Sequence, residues 1–78
     1  MDVLSPKIQT GVPVRVLDIA SASLKLGVPC YVSPGSLVRI HMSESVAHAE
    51  VRYCTRESSE YHIGVKVEEL VHKGEQEG

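Results

Sequence analysis

Apolar and polar residues alternate along most of the chain from residue 12 onward, and this pattern predicts β-strands with one buried face. Helical periodicity is nearly absent. The side chains predicted to face a common interior are Val12, Val14 and Val16, then Leu24 and Leu26, then Val38, Ile40 and Met42, then Ala47, Ala49, Val51 and Tyr53, and finally Tyr61, Ile63, Val65 and Val67.

Short polar stretches, prolines and glycines separate these runs. The pair Pro34-Gly35 predicts a type II turn, because proline presets φ and glycine takes the left-handed position. Asp18–Ser23 is interpreted as a polar bend and Arg56–Glu60 as a hairpin turn. Gly64 lies inside a predicted strand, which indicates a bulge or the close approach of another group to the backbone.

Two other segments have weaker patterns. Cys30–Val32 is compatible with a short additional strand, and Glu68–Lys73 with a helical turn ahead of a polar tail. The predicted organisation is a flexible lead-in over residues 1–11, one domain over residues 12–70 and a frayed C-terminal tail over residues 71–78.

The strand pattern predicts an all-β fold, a small and mainly antiparallel β-barrel of five to six strands. An open sheet of this size would leave an apolar face in water and its edges unpaired, so closure or near-closure is expected. Because the chain has no Phe or Trp, the core is predicted to consist of Val, Leu, Ile and Ala, with Tyr53 and Tyr61 as its bulky members.

Charge and hydropathy narrow the functional classes. The net charge is −2 and the arginines are scattered, whereas a protein that neutralises many phosphates needs clustered Lys and Arg. Nucleic acid is therefore not the expected partner. No apolar run approaches the roughly 20 residues of a membrane span, and residues 1–10 lack the features of a signal peptide. We expect a cytoplasmic protein without membrane insertion.

The residues with catalytic or metal-binding chemistry form no recognisable site. Cys30 and Cys54 give no disulfide framework and no Cys-x-x-Cys pair. His41, His48 and His62 fall on outward strand positions without the spacing of a zinc site, so no metal is predicted. Cys54 and His48 share a strand face but lie roughly 20 Å apart at strand rise. The chain is therefore predicted not to be an enzyme.

Three motifs taken in order resemble the PilZ family of small bacterial β-barrels, whose usual ligand is cyclic di-GMP. They are Ser33-Pro-Gly-Ser-Leu-Val-Arg-Ile40, Ala49-Glu-Val-Arg-Tyr53 and Tyr61-His-Ile-Gly-Val-Lys-Val67. The resemblance covers about residues 12–70 and implies a PilZ-like barrel. It implies no other cofactor.

The ligand motif of that family is only partly present. The family pattern has an Arg-x-x-x-Arg pair followed by Asp/Asn-x-Ser-x-x-Gly. Asp18 matches the first position of the second motif, but Ala20 stands where Ser is expected and Ser23 where Gly is expected. No Arg pair precedes it. If a cyclic di-GMP site exists, the resemblance places it around Arg15, Asp18, Ser21 and Ser23.

Two functions follow from this resemblance. The first is an atypical PilZ-type module in bacterial signalling that binds cyclic di-GMP weakly or not at all. It would act mainly through a protein partner or self-association, with the exposed Leu37 and the edge left by a missing first strand as its surface. The alternative is a genuine cyclic di-GMP receptor whose Arg pair comes from upstream sequence or another chain. A third class, a small barrel of the OB or SH3 type that binds peptide or RNA, requires exposed aromatic residues, and the tyrosines are assigned to the core.

Overall fold

The computed structural model describes residues 1–73, which form one six-stranded antiparallel sheet with no helix among them. The strands are β1 (Asp2–Ser5), β2 (Arg15–Ala20), β3 (Ser23–Val28), β4 (Leu37–His41), β5 (Ser45–Glu57) and β6 (Glu60–His72). Their order across the sheet is β1-β4-β5-β6-β3-β2. The prediction of an all-β, antiparallel fold is confirmed.

The core lies on the concave side of this curved sheet and is aliphatic. Alternate side chains of β3, β4, β5 and β6 supply it, as the period-two pattern requires. Nearly all of the predicted inward side chains on these four strands are buried or packed against the core. The most deeply buried are Leu26, Val28, Val38, Ile40, Ala47, Val51, Ile63 and Val65.

The sheet curves back on itself without closing into a continuous ladder. Two residues of the loop after β1 cover the outer edge of that strand. Gln9 exchanges backbone hydrogen bonds with Val3 (2.7 and 3.0 Å), and Val12 exchanges them with Met1 (both 2.8 Å). The chain then runs from Val12 into β2, but within residues 1–73 no ladder joins β1 to β2. The fold is therefore barrel-like, with one open seam.

The segment predicted as a flexible lead-in contains β1, so that part of the domain prediction is wrong. β1 pairs with β4, with Val3 opposite Val38, and Val3 is buried in the core. A single buried apolar residue fixes this strand, and one residue gives no period to detect. The expectation of a missing first strand fails for the same reason.

The second strand also differs from its prediction. β2 begins at Arg15 and includes Asp18, which was assigned to a polar bend; only Ser21 and Ala22 form the turn. Val16 was predicted to face the interior, but it is exposed because β2 is an edge strand.

Two smaller predictions, one in the middle of the chain and one near its C-terminal end, are also wrong. Residues 30–32 form no strand, and Glu68–His72 continues β6 rather than forming a helical turn. Ser45 pairs with His72, so the partner strand β5 extends the ladder to that point. Most of the predicted C-terminal tail, residues 74–78, lies outside the described residues.

The Pro34-Gly35 turn agrees with its prediction. Gly35 has φ +93°, and the N–H of Ser36 donates to the carbonyl of Ser33 at 3.1 Å. These are the features of a type II turn. The turn is anchored to β5 because Gly35 N–H donates to the Val51 carbonyl at 2.7 Å and Val51 N–H to the Ser36 carbonyl at 2.9 Å.

Tyr53 lies outside the core, contrary to the sequence-based prediction. The β5–β6 register shifts between Val51 and Tyr53, so one extra residue, Arg52, turns the tyrosine to the convex face. Its cross-strand partner there is Gly64. The ring covers this glycine, since a Cβ at Gly64 would lie 2.2 Å from Cε2 of Tyr53. The close approach predicted at Gly64 is thus confirmed.

The Gly64→Ala substitution should destabilise the protein by about 1–2 kcal/mol, because the new methyl group displaces the Tyr53 ring. Thermal or urea unfolding measures the loss. In a Tyr53→Ala background the same substitution should cost clearly less. Gly27→Ala is the matched control in β3, where the nearest atom, at 3.0 Å, belongs to the flexible Glu60 side chain. Equal losses in both backgrounds would contradict the assigned contact.

The Asp2 carboxylate fastens β1 to its neighbours. It accepts hydrogen bonds from Gly11 N–H (3.0 Å), His41 Nε2 (3.2 Å) and the Arg39 guanidinium (3.2 Å). These contacts, the Gly11 bond foremost and then His41, lower the pKa of Asp2 from 3.8 to about 2. The charged form is therefore favoured in the folded state.

The stabilisation by Asp2 should be complete above the unfolded-state pKa of 3.8 and should disappear as the pH falls through the folded-state pKa of about 2. Asp2→Asn should therefore lower the melting temperature at neutral pH, and its difference from the wild type should shrink between these two values. Thermal melts of both proteins across this range test the assignment. A difference that is independent of pH would contradict it.

Candidate ligand face and open edge

Cross-strand pairing brings polar residues from four strands together on the convex face. One row runs from Asp18 through Lys25 and Gly64 to Tyr53. The adjacent row runs from Ala20 through Ser23 and Lys66 to Glu50. Residues directly opposite each other in a ladder share a face, so both rows lie on the convex face.

These rows surround a shallow depression of about 230 Å³, which we name the Tyr53 face. Its chemically distinctive members are Asp18, Ser23, Lys25, Arg52, Tyr53 and Lys66. Three of them are cations and one is an acid. Glu50 lies 3.8 Å from Arg52 and offsets part of the positive charge. The Tyr53 ring offers a surface for stacking, and the three cations offer contacts to an anion. Gly64, which has no side chain, leaves space at the bottom of the depression.

The structure does not bring the four predicted ligand residues together. Asp18 and Ser23 both line the Tyr53 face. Ser21 lies at the tip of the β2–β3 turn and lines a different groove. Arg15 forms an ion pair with Glu60, whose carboxylate lies over Gly27. The Asp18 carboxylate is partly engaged, since its Oδ1 accepts the N–H of Ile19 at 2.9 Å.

Sequence reasoning missed Lys25, Arg52, Tyr53 and Lys66 as members of this face. Lys25 and Lys66 alternate with inward-facing residues and therefore point outwards, but nothing in the alternation indicates that they are neighbours. Tyr53 was missed because the bulge at Arg52 reverses its direction. One signal was present, because a glycine inside a strand commonly makes room for a large side chain on the neighbouring strand.

An apolar groove of about 400 Å³ lies at the open end of the sheet, between the β2–β3 hairpin and the far end of β6. We name it the hairpin groove; its apolar lining includes Ile19, Leu24, Met42, Ala47, Val67 and Leu70. Ile19 is 70 % exposed and Leu70 50 %. The hairpin is fixed against β6 by a hydrogen bond from Val67 N–H to the Ala22 carbonyl at 2.9 Å.

Three of the four histidines, His41, His48 and His62, lie apart, each beside a different carboxylate. His41 contacts Asp2 at 3.2 Å, His48 lies 3.4 Å from Glu69, and His62 lies 3.0 Å from Glu60. Across the described part of the chain, no three His, Cys, Asp or Glu side chains are placed to hold a metal ion.

Tyr53 and Tyr31 are exposed, at 43 % and 55 %. The sequence-based reason against a peptide- or RNA-binding barrel, that all tyrosines belong to the core, is therefore wrong for both. Only Tyr61 packs against the core, with the Tyr31 ring edge-on to it at 6.1 Å between centroids.

No family model, no curated protein and no solved structure matches this chain. Within residues 1–73 there is also no helix of the length and apolar character needed to cross a membrane.

Proposed function

We propose that this protein is an atypical PilZ-type module of bacterial cytoplasmic signalling. It is not an enzyme, acts mainly through protein contacts, and binds cyclic di-GMP weakly or not at all. The observation that carries the proposal is the outer edge of β2, which pairs with no strand of residues 1–73 and beside which the apolar side chains of Val16 and Ile19 are exposed.

The edge and the groove together form a surface suited to another polypeptide. Within residues 1–73, β2 makes backbone ladder bonds only to β3, whereas the opposite end of the sheet is covered by the loop that follows β1. An uncovered edge strand offers backbone donors and acceptors to an added strand. The hairpin groove places apolar side chains next to that edge, and these supply the hydrophobic part of a contact.

The arrangement of the predicted ligand residues supports weak nucleotide binding. Arg15 is held by Glu60, and no second arginine stands beside it on β2. A ligand that lacks two guanidinium contacts loses about 1.5–3 kcal/mol for each charged hydrogen bond. Such a loss moves a micromolar ligand to the millimolar range.

Isothermal titration of the protein with cyclic di-GMP should accordingly show no saturable binding at micromolar ligand. The proposal is wrong if a saturating, low-micromolar isotherm is obtained. Cyclic di-AMP, which has the same backbone and charge but a different base, serves as the matched control for non-specific binding of a dianion.

The Tyr53 face favours the alternative, a genuine cyclic di-GMP receptor. Lys25, Arg52 and Lys66 surround an exposed aromatic ring, so cations from strands replace some of those expected from an upstream Arg pair. In this alternative, residues of the chain itself make at least some of the contacts to the ligand phosphates, so a second chain is not needed for those contacts.

If the titration does show binding, Arg52→Ala should weaken it by about tenfold or more, because one charged contact is lost. Arg56→Ala is the control: the same change of charge on the same strand, outside the Tyr53 face. If the two variants bind cyclic di-GMP with equal affinity, the Tyr53 face is not the site. The contacts to the phosphates would then come from arginines outside residues 1–73.

A further inference from the structure

The backbone of β2 has donors that face away from the sheet. Ala20 and Ser23 flank the two-residue turn and therefore form a hydrogen-bonded pair, so the neighbouring residue Ile19 directs its N–H outward. The contact of that N–H with Asp18 Oδ1, rather than with β3, agrees with this direction. The outward N–H of Ile19 is thus capped by the Asp18 side chain rather than by a neighbouring strand within residues 1–73.

A bulge gives β2 an unusual charge pattern. The register shifts between Val16 and Asp18, so that Arg15 is opposite Gly27 while Asp18 is opposite Lys25. Gly27 and Lys25 are two residues apart on β3 and share a face. Arg15 and Asp18 therefore lie on the same convex face although they are three residues apart, an odd number that would otherwise place them on opposite faces.

From this geometry we infer that β2 pairs antiparallel with β2 of a second copy of the same chain, about a two-fold axis between Val16 and Leu17. Arg15 of each copy then lies opposite Asp18 of the other. The inference rests on the proposed function and specifies its partner. The sheet continues through the interface as two six-stranded halves.

The same register explains the apolar part of the edge. Val14 of one copy is placed opposite Ile19 of the other, on the concave side. Val14 already packs against the core, while Ile19 is the most exposed large apolar residue of β2. Pairing therefore places Ile19 against Val14 of the other copy, at the border of that copy's core, and removes its side chain from solvent.

The pairing requires two exchanges of polar contacts. Asp18 leaves its own Ile19 N–H, which becomes a ladder donor, and binds Arg15 of the other copy. Arg15 leaves Glu60, and that carboxylate keeps its contact with His62 Nε2 at 3.0 Å. No charged group in this cluster is left without a polar contact.

The charge pattern points to a second copy rather than to an unrelated strand. A two-fold axis makes any interface isologous, so a patch must complement itself. An acid and a base placed symmetrically about the centre of one strand meet this condition and form two ion pairs at once. Electrostatic complementarity of this kind fixes the register of an added strand.

Sedimentation equilibrium from micromolar to millimolar protein tests the inference. The wild type should rise from its monomer mass of 8.5 kDa towards twice that value. Arg15→Asp and Asp18→Arg should each weaken association by about tenfold or more, because like charges then face each other across the axis. An equimolar mixture of the two variants should associate again, since one carries two acids and the other two arginines.

Lys66→Asp is the matched control, the same reversal of charge two strands in from the edge, and should associate like the wild type. Circular dichroism reports whether each variant folds. If a single variant does not fold, the double variant Arg15→Asp/Asp18→Arg, which keeps the complementary pattern, must still dimerise.

Three results would overturn the inference: a wild type that stays monomeric throughout, single variants that associate as tightly as the wild type, or a mixture that associates no better than its components. A monomeric wild type that also fails to bind cyclic di-GMP overturns only the pairing with a second copy. Low-micromolar nucleotide binding overturns the proposed function itself.

Discussion

The ladder between β5 and β6 is the part of the sheet on which the position of every other strand depends. Each of these strands has 13 residues, and every other strand attaches to one of them directly or through one neighbour. Val51 lies opposite Val65, and Leu26 of β3 lies opposite Ile63, so the backbone register sets which aliphatic groups meet in the core. A core without large aromatic rings depends on many such small contacts, because each contributes little alone.

That ladder is interrupted by bulges, and the interruptions give the convex face its chemistry. The bulge at Arg52 moves Tyr53 out of the core and over Gly64, which leaves an aromatic ring among three cations. The bulge in β2 places Arg15 and Asp18 on one face in the same way. Each irregularity costs ladder hydrogen bonds and turns a side chain that regular alternation would direct elsewhere.

The two ends of the sheet are treated differently. Asp2 and the loop to Val12 hold and cover β1, with three polar contacts to one carboxylate. β2 has only a single side-chain cap on its outer edge in the described chain, and exposed apolar groups beside it. One edge of the sheet is thus covered by the chain itself, whereas no backbone within residues 1–73 covers the other.

The sequence by itself determined the all-β class, the antiparallel character of the sheet, the Pro34-Gly35 turn and most of the buried faces of β3 to β6. These properties depend on neighbours along the chain, because alternation and turn chemistry act over a few residues. Only the tertiary structure decided the strand β1, the direction of Tyr53 and the grouping of Lys25, Arg52 and Lys66 with Asp18. Each of these depends on register between distant strands. A shift of one residue there reverses a side chain and leaves the hydrophobic pattern of the sequence unchanged.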